Sequence, residues 1–119
     1  MALKRGARAG AKRQLTPGLL AMVARRFRAL AEPARLHVLH ALEGGARSVS
    51  ELAEETGIAQ GTLSKHLQVL HEGGYLKRRR DGQFVYYELA DAQVLQLCEL
   101  MCGRLELEVD AVRGAIARR

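Results

Sequence analysis

The stretch that decides the fold covers residues 58–89 and reads IAQGTLSKHLQVLHEGGYLKRRRDGQFVYYEL. Its first part is helical by spacing, because leucines recur on one face at Leu63, Leu67 and Leu70. Two strand-like segments follow, YLKRRR and FVYYEL, and the Asp-Gly-Gln turn at residues 81–83 favours a hairpin, since Asp and Gly accept positive φ. A polar helix suits the edges of base pairs, and a basic hairpin suits phosphates. This order predicts a winged helix-turn-helix that binds DNA.

The outward side of the predicted helix carries side chains that can read bases. In a helix-turn-helix the second helix enters the major groove, and its N-terminal residues touch base edges. Glutamine can bond adenine, lysine can bond guanine, and serine or threonine can bond a base or a phosphate. We therefore predict DNA contacts from Gln60, Thr62, Ser64, Lys65 and His66. The alternatives are a solvated helix surface and, for His66, a hydrogen-bonded structural role beside Leu67.

The hairpin supplies a second set of predicted contacts, to phosphates or to the minor groove. These residues are Arg78, Arg79, Arg80 and Gln83. Side chains alternate along a strand, so Arg78 and Arg80 share one face and Arg79 takes the other. We therefore expect the three arginines to contact DNA unequally. The same alternation separates Tyr86 from Tyr87 and predicts that one of them lies in the core.

Length and composition fit one basic domain. The 119 residues suffice for a single hydrophobic core, and the net charge of +6 favours a polyanionic partner such as nucleic acid. No apolar run approaches the about 20 residues that cross a bilayer, so no membrane partner is expected. Two cysteines four residues apart form no disulfide framework. Reduced thiols and the lack of a secretory signal predict a cytoplasmic location.

The predicted fold is mainly α with a small β-hairpin, in the order α-α-α-α-β-β-α. Residues 1–15 form a basic arm that is expected to be disordered when free, and residues 16–119 form the winged helix-turn-helix domain. Helices at about 17–30 and 91–116 carry more apolar side chains than one small domain can bury, which predicts that they dimerise. A capping box at residues 48–51 begins the third helix.

Residues 27–91 closely resemble the ArsR/SmtB family of bacterial repressors. The resemblance rests on ALAEPARLHVLHAL, on the QGTLSKHL segment of the recognition helix, and on RDGQFVYY in the wing. It implies a homodimeric repressor that binds a double-stranded DNA operator and leaves it when an inducer binds. In this family the first and last helices make the dimer interface, and a two-fold dimer implies an operator that is an inverted repeat.

Two metal sites that are common in the family are missing from this sequence. Members with a thiolate site carry Cys-Val-Cys where this chain has Ser-Val-Ser at residues 48–50. Members with zinc ligands on the last helix begin it with Asp-x-His, whereas here Asp91 is followed by Gln93. Arg104 and Leu107 stand where the later zinc ligands would fall. The resemblance therefore leaves the cofactor unknown.

Cys98 and Cys102 are the candidate sensing residues. At i and i+4 of a helix their side chains share a face, and two thiolates there can chelate a soft metal or metalloid ion such as arsenite, cadmium or zinc. They can equally respond to an oxidant or to reactive sulfur, because a disulfide at this spacing would distort the helix. The alternative is that both cysteines are small apolar residues within the dimer seam.

Two functional hypotheses follow, and both involve DNA. The first is an inducible transcriptional repressor. The alternative is a DNA-binding regulator with no small inducer, controlled by its own abundance or by a protein partner. An enzyme is not expected, because the sequence shows no nucleophile–base pair, no phosphate-binding glycine loop and no carboxylate dyad in a credible pocket.

Overall fold

The computed structural model describes residues 12–117 and contains five helices and three strands in that range. The helices are α1 (Pro17–Leu30), α2 (Pro33–Ala41), α3 (Val49–Thr56), α4 (Gln60–Glu72) and α5 (Gln93–Ala117). The strands are β1 (Arg47–Ser48), β2 (Leu76–Asp81) and β3 (Phe84–Leu89). The predicted winged helix-turn-helix is confirmed. Of the predicted basic arm, residues 1–11 lie outside the described residues, and residues 12–16 precede α1 without regular structure.

The sheet has one strand that the sequence did not predict. Strand β3 lies in the middle, paired antiparallel with β2 on one side and with β1 on the other. Two residues show no periodicity, so β1 is set by its partner strand and not by its own sequence. Across the β2–β3 pair, Arg78 faces Tyr87, and Arg79 faces Tyr86. This register decides which face of the wing each arginine occupies.

A leucine-rich core lies beneath α4. The predicted stripe of Leu63, Leu67 and Leu70 is fully buried. The side chains packed with it from α2, its C-terminal flank and α3 include Val38, Leu39, Leu42 and Leu52. Strand β3 adds Tyr87, which is buried, while Tyr86 is half-buried, so the predicted division between the two tyrosines is confirmed. Because α4 turns its leucines inward, its polar side is presented to solvent.

Helices α1 and α5 are the least buried parts of the fold. In α1 the buried residues are Ala29 and Leu30, and in the 25 residues of α5 the buried residue is Val94. Large apolar side chains on both helices are exposed to solvent: Leu20, Met22, Val23, Phe27, Leu97, Leu100, Met101, Leu105, Leu107, Val109, Val112 and Ile116. Apolar surface of this extent on a single chain is typical of a protein interface.

The predicted capping box at the start of α3 is confirmed. The Ser48 hydroxyl accepts from the Glu51 amide at 3.2 Å, and a Glu51 carboxylate oxygen accepts from the Ser48 amide at 2.8 Å.

Removing such a cap costs about 1 kcal/mol. We therefore expect Ser48→Ala to lower the free energy of unfolding by about 1 kcal/mol in urea titrations followed by circular dichroism. Ser50→Ala is the matched control, because Ser50 is exposed in the same helix, and an equal loss in both variants would contradict this role for Ser48.

Candidate nucleic-acid interface and thiol cavity

The outward face of α4 presents most of the predicted base-reading residues to solvent. Gln60, Thr62, Ser64 and Lys65 are exposed, and His66 is half-buried. The helix N-terminus has no side-chain cap, so its free amides and the positive end of its dipole can meet a phosphate. A Cβ added at Gly61 would meet no atom within 4 Å. The packing of this chain therefore does not require glycine there, and the open space suits close approach by DNA.

His66 contacts another part of the domain and is the least exposed of the α4 residues predicted to contact DNA. Its Nδ1 atom lies 3.4 Å from a guanidinium nitrogen of Arg35. The same guanidinium donates to the carbonyls of Ala29, at 2.7 Å, and Arg28, at 3.2 Å, at the end of α1. Arg35 therefore connects the C-terminus of α1 with the recognition helix. Sequence reasoning missed this contact, because the two residues lie 31 positions apart.

A polar cleft lies between α4 and the wing. Its volume is about 500 Å³, and its lining residues are Val49, Ser64, Arg78, Arg79, Arg80, Val85 and Tyr87. Ser64 comes from the recognition helix, and the three arginines come from β2. The structure thus brings together predicted contact residues from both elements. A hydroxyl beside guanidinium groups in a solvent-accessible cleft is an arrangement that suits a phosphate.

Arg79 differs from its two neighbours, as strand alternation predicted. Its guanidinium lies 4.9 Å from the centroid of the Tyr86 ring and 3.9 Å from a carboxylate oxygen of Asp81. Both contacts attract the positive charge, although the ion pair is exposed and weak. Near the wing tip, Gln83 is exposed, and so is Phe84, which keeps 45% of its surface accessible. Phe84 was not among the predicted contacts, although its position directly after the turn could have indicated that it lies at the exposed tip of the wing.

Cys98 and Cys102 line a small apolar cavity between α5 and the first two helices. Its volume is about 330 Å³, and its lining residues are Phe27, Leu30, Ala31, Leu36, His40, Leu97, Cys98, Met101, Cys102 and Leu105. Cys98 is half-buried and Cys102 is exposed. Burial raises the pKa of the Cys98 thiol, and the neighbouring Cys102 raises it further. The two thiols thus share one cavity, in which the protonated form of Cys98 is favoured.

A complete metal site is not formed by this cavity alone. Within residues 12–117, no three side chains of His, Cys, Asp or Glu come together in a way that could hold a metal ion. His40 is the further nitrogen donor in the lining. At the two sites known from the resemblance, Ser48 caps α3 and Arg104 pairs with Glu108 at 3.1 Å. A soft ion bound to Cys98 and Cys102 would therefore need a further ligand from outside the cavity, or it would have a coordination number of two.

Tyr75 holds the junction between α4 and the wing against α1. Its hydroxyl donates to the Arg26 carbonyl of α1 at 3.0 Å, and its own carbonyl accepts from the Ala90 amide at 2.8 Å. Burial raises the pKa of Tyr75, the nearby Arg26 guanidinium opposes this shift, and the Cys98 thiol adds to it. Tyr75 therefore lies within electrostatic reach of Cys98 while standing between the end of α4 and the start of β2.

The known proteins that this chain resembles in sequence are bacterial transcriptional regulators. The model of the family described as bacterial regulatory protein, arsR family, matches residues 32–78. The chain is 43% identical over 77 residues to a probable mercury resistance operon repressor of Streptomyces lividans. That match covers 65% of this chain and 62% of the relative, so the chain spans less than two thirds of that relative's length. Among residues 12–117, none of the helices combines the length and the hydrophobicity that a membrane span needs.

Solved structures with a similar fold cover nearly the whole domain. One is the homodimeric winged helix-turn-helix DNA-binding domain of a possible ArsR-family regulator from Mycobacterium bovis, with a TM-score of 0.71 and 34% identity over 85% of this chain and 94% of that chain. Another is the AntR antimony-specific transcriptional repressor, with a TM-score of 0.71 and 29% identity over 92% of this chain and 98% of that chain. The chain therefore belongs to the arsR family of bacterial regulatory proteins, which are DNA-binding transcriptional regulators and not enzymes.

Proposed function

We propose that this chain is a homodimeric repressor that binds an inverted-repeat DNA operator and leaves it when an inducer binds. The observation that carries the proposal is the shared cleft of Ser64 and the arginines of β2, next to the exposed polar face of α4. The α4 residues proposed to read bases are Gln60, Thr62, Ser64, Lys65 and His66, and the proposed wing contacts are Arg78, Arg79, Arg80 and Gln83. In this arrangement α4 enters the major groove while the wing contacts the backbone beside it.

Dimerisation through α1 and α5 is the second part of the proposal. Both helices leave large apolar side chains exposed, which a second copy would cover. The Mycobacterium bovis domain of the same fold is homodimeric. A two-fold dimer presents its recognition helices about 34 Å apart, one turn of DNA, and so reads two half-sites in opposite directions. This requirement is the reason for expecting an inverted repeat.

Regulation is proposed to act through Cys98 and Cys102. Both open hypotheses, a soft metal or metalloid ion and an oxidant or reactive sulfur species, place the chemistry in the cavity that contacts α1 and α5. Two similar proteins are a probable mercury resistance operon repressor and an antimony-specific transcriptional repressor, which supports a thiophilic element. A cytoplasmic location belongs to this proposal, because operator DNA and reduced thiols meet there.

A regulator without a small inducer is the second candidate. The apolar lining around the cysteines favours it, since small thiols also serve as ordinary packing residues. Under this hypothesis the thiols would be covered in the dimer. Abundance or a protein partner would then control binding.

Replacing a base-reading lysine tests the DNA interface. We expect Lys65→Ala to weaken binding about tenfold, because a lysine contact to a base or phosphate contributes about 1–3 kcal/mol. The DNA would be a duplex selected from a random pool by the native protein, and affinity would be measured by fluorescence anisotropy at fixed salt. Lys77→Ala is the matched control, because Lys77 is an exposed lysine of β2 that does not line the cleft.

Two outcomes would count against this interface. One is failure of the native protein to select any duplex, which would remove the proposed function. The other is an equal effect of Lys65→Ala and Lys77→Ala, which would reduce the role of α4 to nonspecific charge.

A further inference from the structure

Each of the three guanidinium nitrogens of Arg35 has its own partner. The Nε atom donates to the carbonyl of Ala29 at 2.7 Å, and one Nη atom donates to the carbonyl of Arg28 at 3.2 Å. The other Nη atom lies 3.4 Å from Nδ1 of His66. Both carbonyls belong to the last turn of α1, where the negative end of the helix dipole attracts a cation. The end of α1 therefore fixes the guanidinium that meets the histidine.

The chemistry of this contact decides which nitrogen of His66 carries the proton. An arginine side chain has only donors, whereas a neutral imidazole has one donor and one acceptor. Nδ1 must therefore accept the hydrogen bond from Arg35, which places the proton of the neutral ring on Nε2. A neutral ring with its proton on Nδ1 would set two donors against each other and lose the contact.

The Nε2 atom of His66 is available to a partner from outside the domain. His66 is half-buried, and within residues 12–117 its Nε2 atom has no hydrogen-bond partner. No buried side-chain nitrogen or oxygen of these residues lacks a partner, so solvent reaches Nε2. The preceding residues of α4, Ser64 and Lys65, are exposed on the side that is proposed to enter the major groove. The N–H group at Nε2 can therefore meet the edge of a base.

We propose that Arg35 is a positioning residue for DNA reading, which fixes His66 as the Nε2–H tautomer so that His66 donates one hydrogen bond to a base. In the major groove adenine and guanine offer the acceptor N7, and thymine offers the acceptor O4, whereas cytosine presents an amino donor. A fixed donor therefore accepts three bases at its position and rejects cytosine. The base contact rests on the proposed repressor function, whereas the tautomer does not.

A histidine without the contact to Arg35 would discriminate less between bases. Its two neutral tautomers interconvert, so the nitrogen that meets the base could be either a donor or an acceptor. An acceptor there would take the amino group of cytosine. Fixing the proton on Nε2 excludes that pairing. Arg35 thus adds specificity through His66, without a DNA contact of its own.

The tautomer can be measured on the full chain without DNA. In side-chain 15N NMR spectra of the native protein, neutral His66 should show a protonated Nε2 and an unprotonated Nδ1. The signals of His66 are assigned by their loss in His66→Gln. Lysine keeps the charge of Arg35 but replaces the planar fork by one compact donor group, so Arg35→Lys should show a mixture of tautomers at His66. If Arg35→Lys does not fold, the native spectrum and the His66 variants decide.

The base preference is measured on the duplex that the native protein selects, with all four base pairs placed in turn at each position of a half-site. At one position cytosine should bind about fivefold more weakly than the other three bases, because a hydrogen bond is lost. His66→Asn can still accept from Arg35 but has no atom in the place of Nε2, so it should lose this discrimination. His66→Gln has an amide donor in that place and should keep the discrimination at lower overall affinity. Arg35→Lys should lose it at that position alone.

Gln68→Ala is the matched control for the variants of α4. Gln68 is exposed on the same helix, and its amide donates to a carboxylate oxygen of Glu72 at 3.1 Å. This variant should leave both the tautomer of His66 and the rejection of cytosine unchanged.

The outcomes separate this inference from the proposed function. A native His66 with its proton on Nδ1, or with mixed tautomers, would overturn the inference whatever the DNA result. A selected duplex with no position that rejects cytosine, or equal discrimination by His66→Asn and His66→Gln, would overturn it and leave the repressor proposal intact. A uniform loss of affinity in Arg35→Lys, with the tautomer unchanged, would make Arg35 a structural support and also overturn it. A native protein that selects no duplex would remove the repressor function and the base contact together.

Discussion

The double variant Leu100→Glu, Leu107→Glu is expected to be monomeric and to bind operator DNA at least about a hundredfold more weakly than the native protein. The two leucines keep 74% and 67% of their surface exposed and lie seven residues apart, two turns along one face of α5. In a two-fold dimer each substitution occurs twice, so four carboxylates would enter the interface. Burying even one charge without a partner costs several kcal/mol. Sedimentation velocity would report the mass, and anisotropy with the selected duplex would report the affinity.

A charge placed elsewhere controls for this experiment. Ala46→Glu adds a carboxylate at an exposed position of the loop between α2 and β1, and this variant should remain dimeric and bind DNA. The α5 variant should still unfold cooperatively in urea, because the leucine core does not include Leu100 or Leu107. A dimeric Leu100→Glu, Leu107→Glu protein would place the interface on another surface.

Removal of Arg78 and Arg80, the two arginines that share one face of β2, should have a comparable effect. We expect Arg78→Ala, Arg80→Ala to weaken operator binding by about a hundredfold or more and to reduce its dependence on salt. A dimer would lose four arginines, and each neutralised phosphate contributes about 0.9 to the slope of log affinity against log salt. The slope should therefore fall by up to about 3.6. Titrations at several salt concentrations measure both quantities on the same duplex.

Arg79→Ala is the matched control within the same strand. It removes an identical charge, but the Arg79 guanidinium lies against Tyr86 and near Asp81. Its loss should therefore change affinity and salt slope less, per residue, than the loss of Arg78 or Arg80. If Arg79→Ala costs as much as either neighbour alone, the two faces of β2 are equivalent toward DNA and the distinction drawn from strand alternation is wrong.

The recognition helix and the wing could be predicted because their signals are local. Leucine spacing determined which face of α4 is buried. The predicted hairpin is present, but Asp81 belongs to β2 and pairs with Phe84, so the loop is Gly82-Gln83, with positive φ at Gly82. Alternation predicted that one tyrosine of the pair is buried, but not which one. That choice depends on how β3 lies on the core, and Tyr87 is the buried residue.

Contacts between distant parts of the chain could not be predicted in this way. Strand β1 has two residues and exists because β3 pairs with it. The bond between Arg35 and His66 and the cavity shared by Phe27 and Cys98 each require the tertiary packing of separate helices. Periodicity within one element carries no information about which other element meets its exposed side. The spacing therefore placed both cysteines on one face of α5 but did not predict the apolar wall around them.

Because α5 packs so little against its own subunit, the folding of this helix depends on the concentration of the protein. Val94 is its buried residue, and a helix with so little packing gains most of its stability from whatever covers it. If the second copy provides that cover, helix formation and association are one equilibrium governed by mass action. Scarce chains would then have a partly melted α5, and accumulation would complete both the helix and the pair. The amount of regulator in the cell would thus set the fraction that is competent to hold DNA, before any inducer acts.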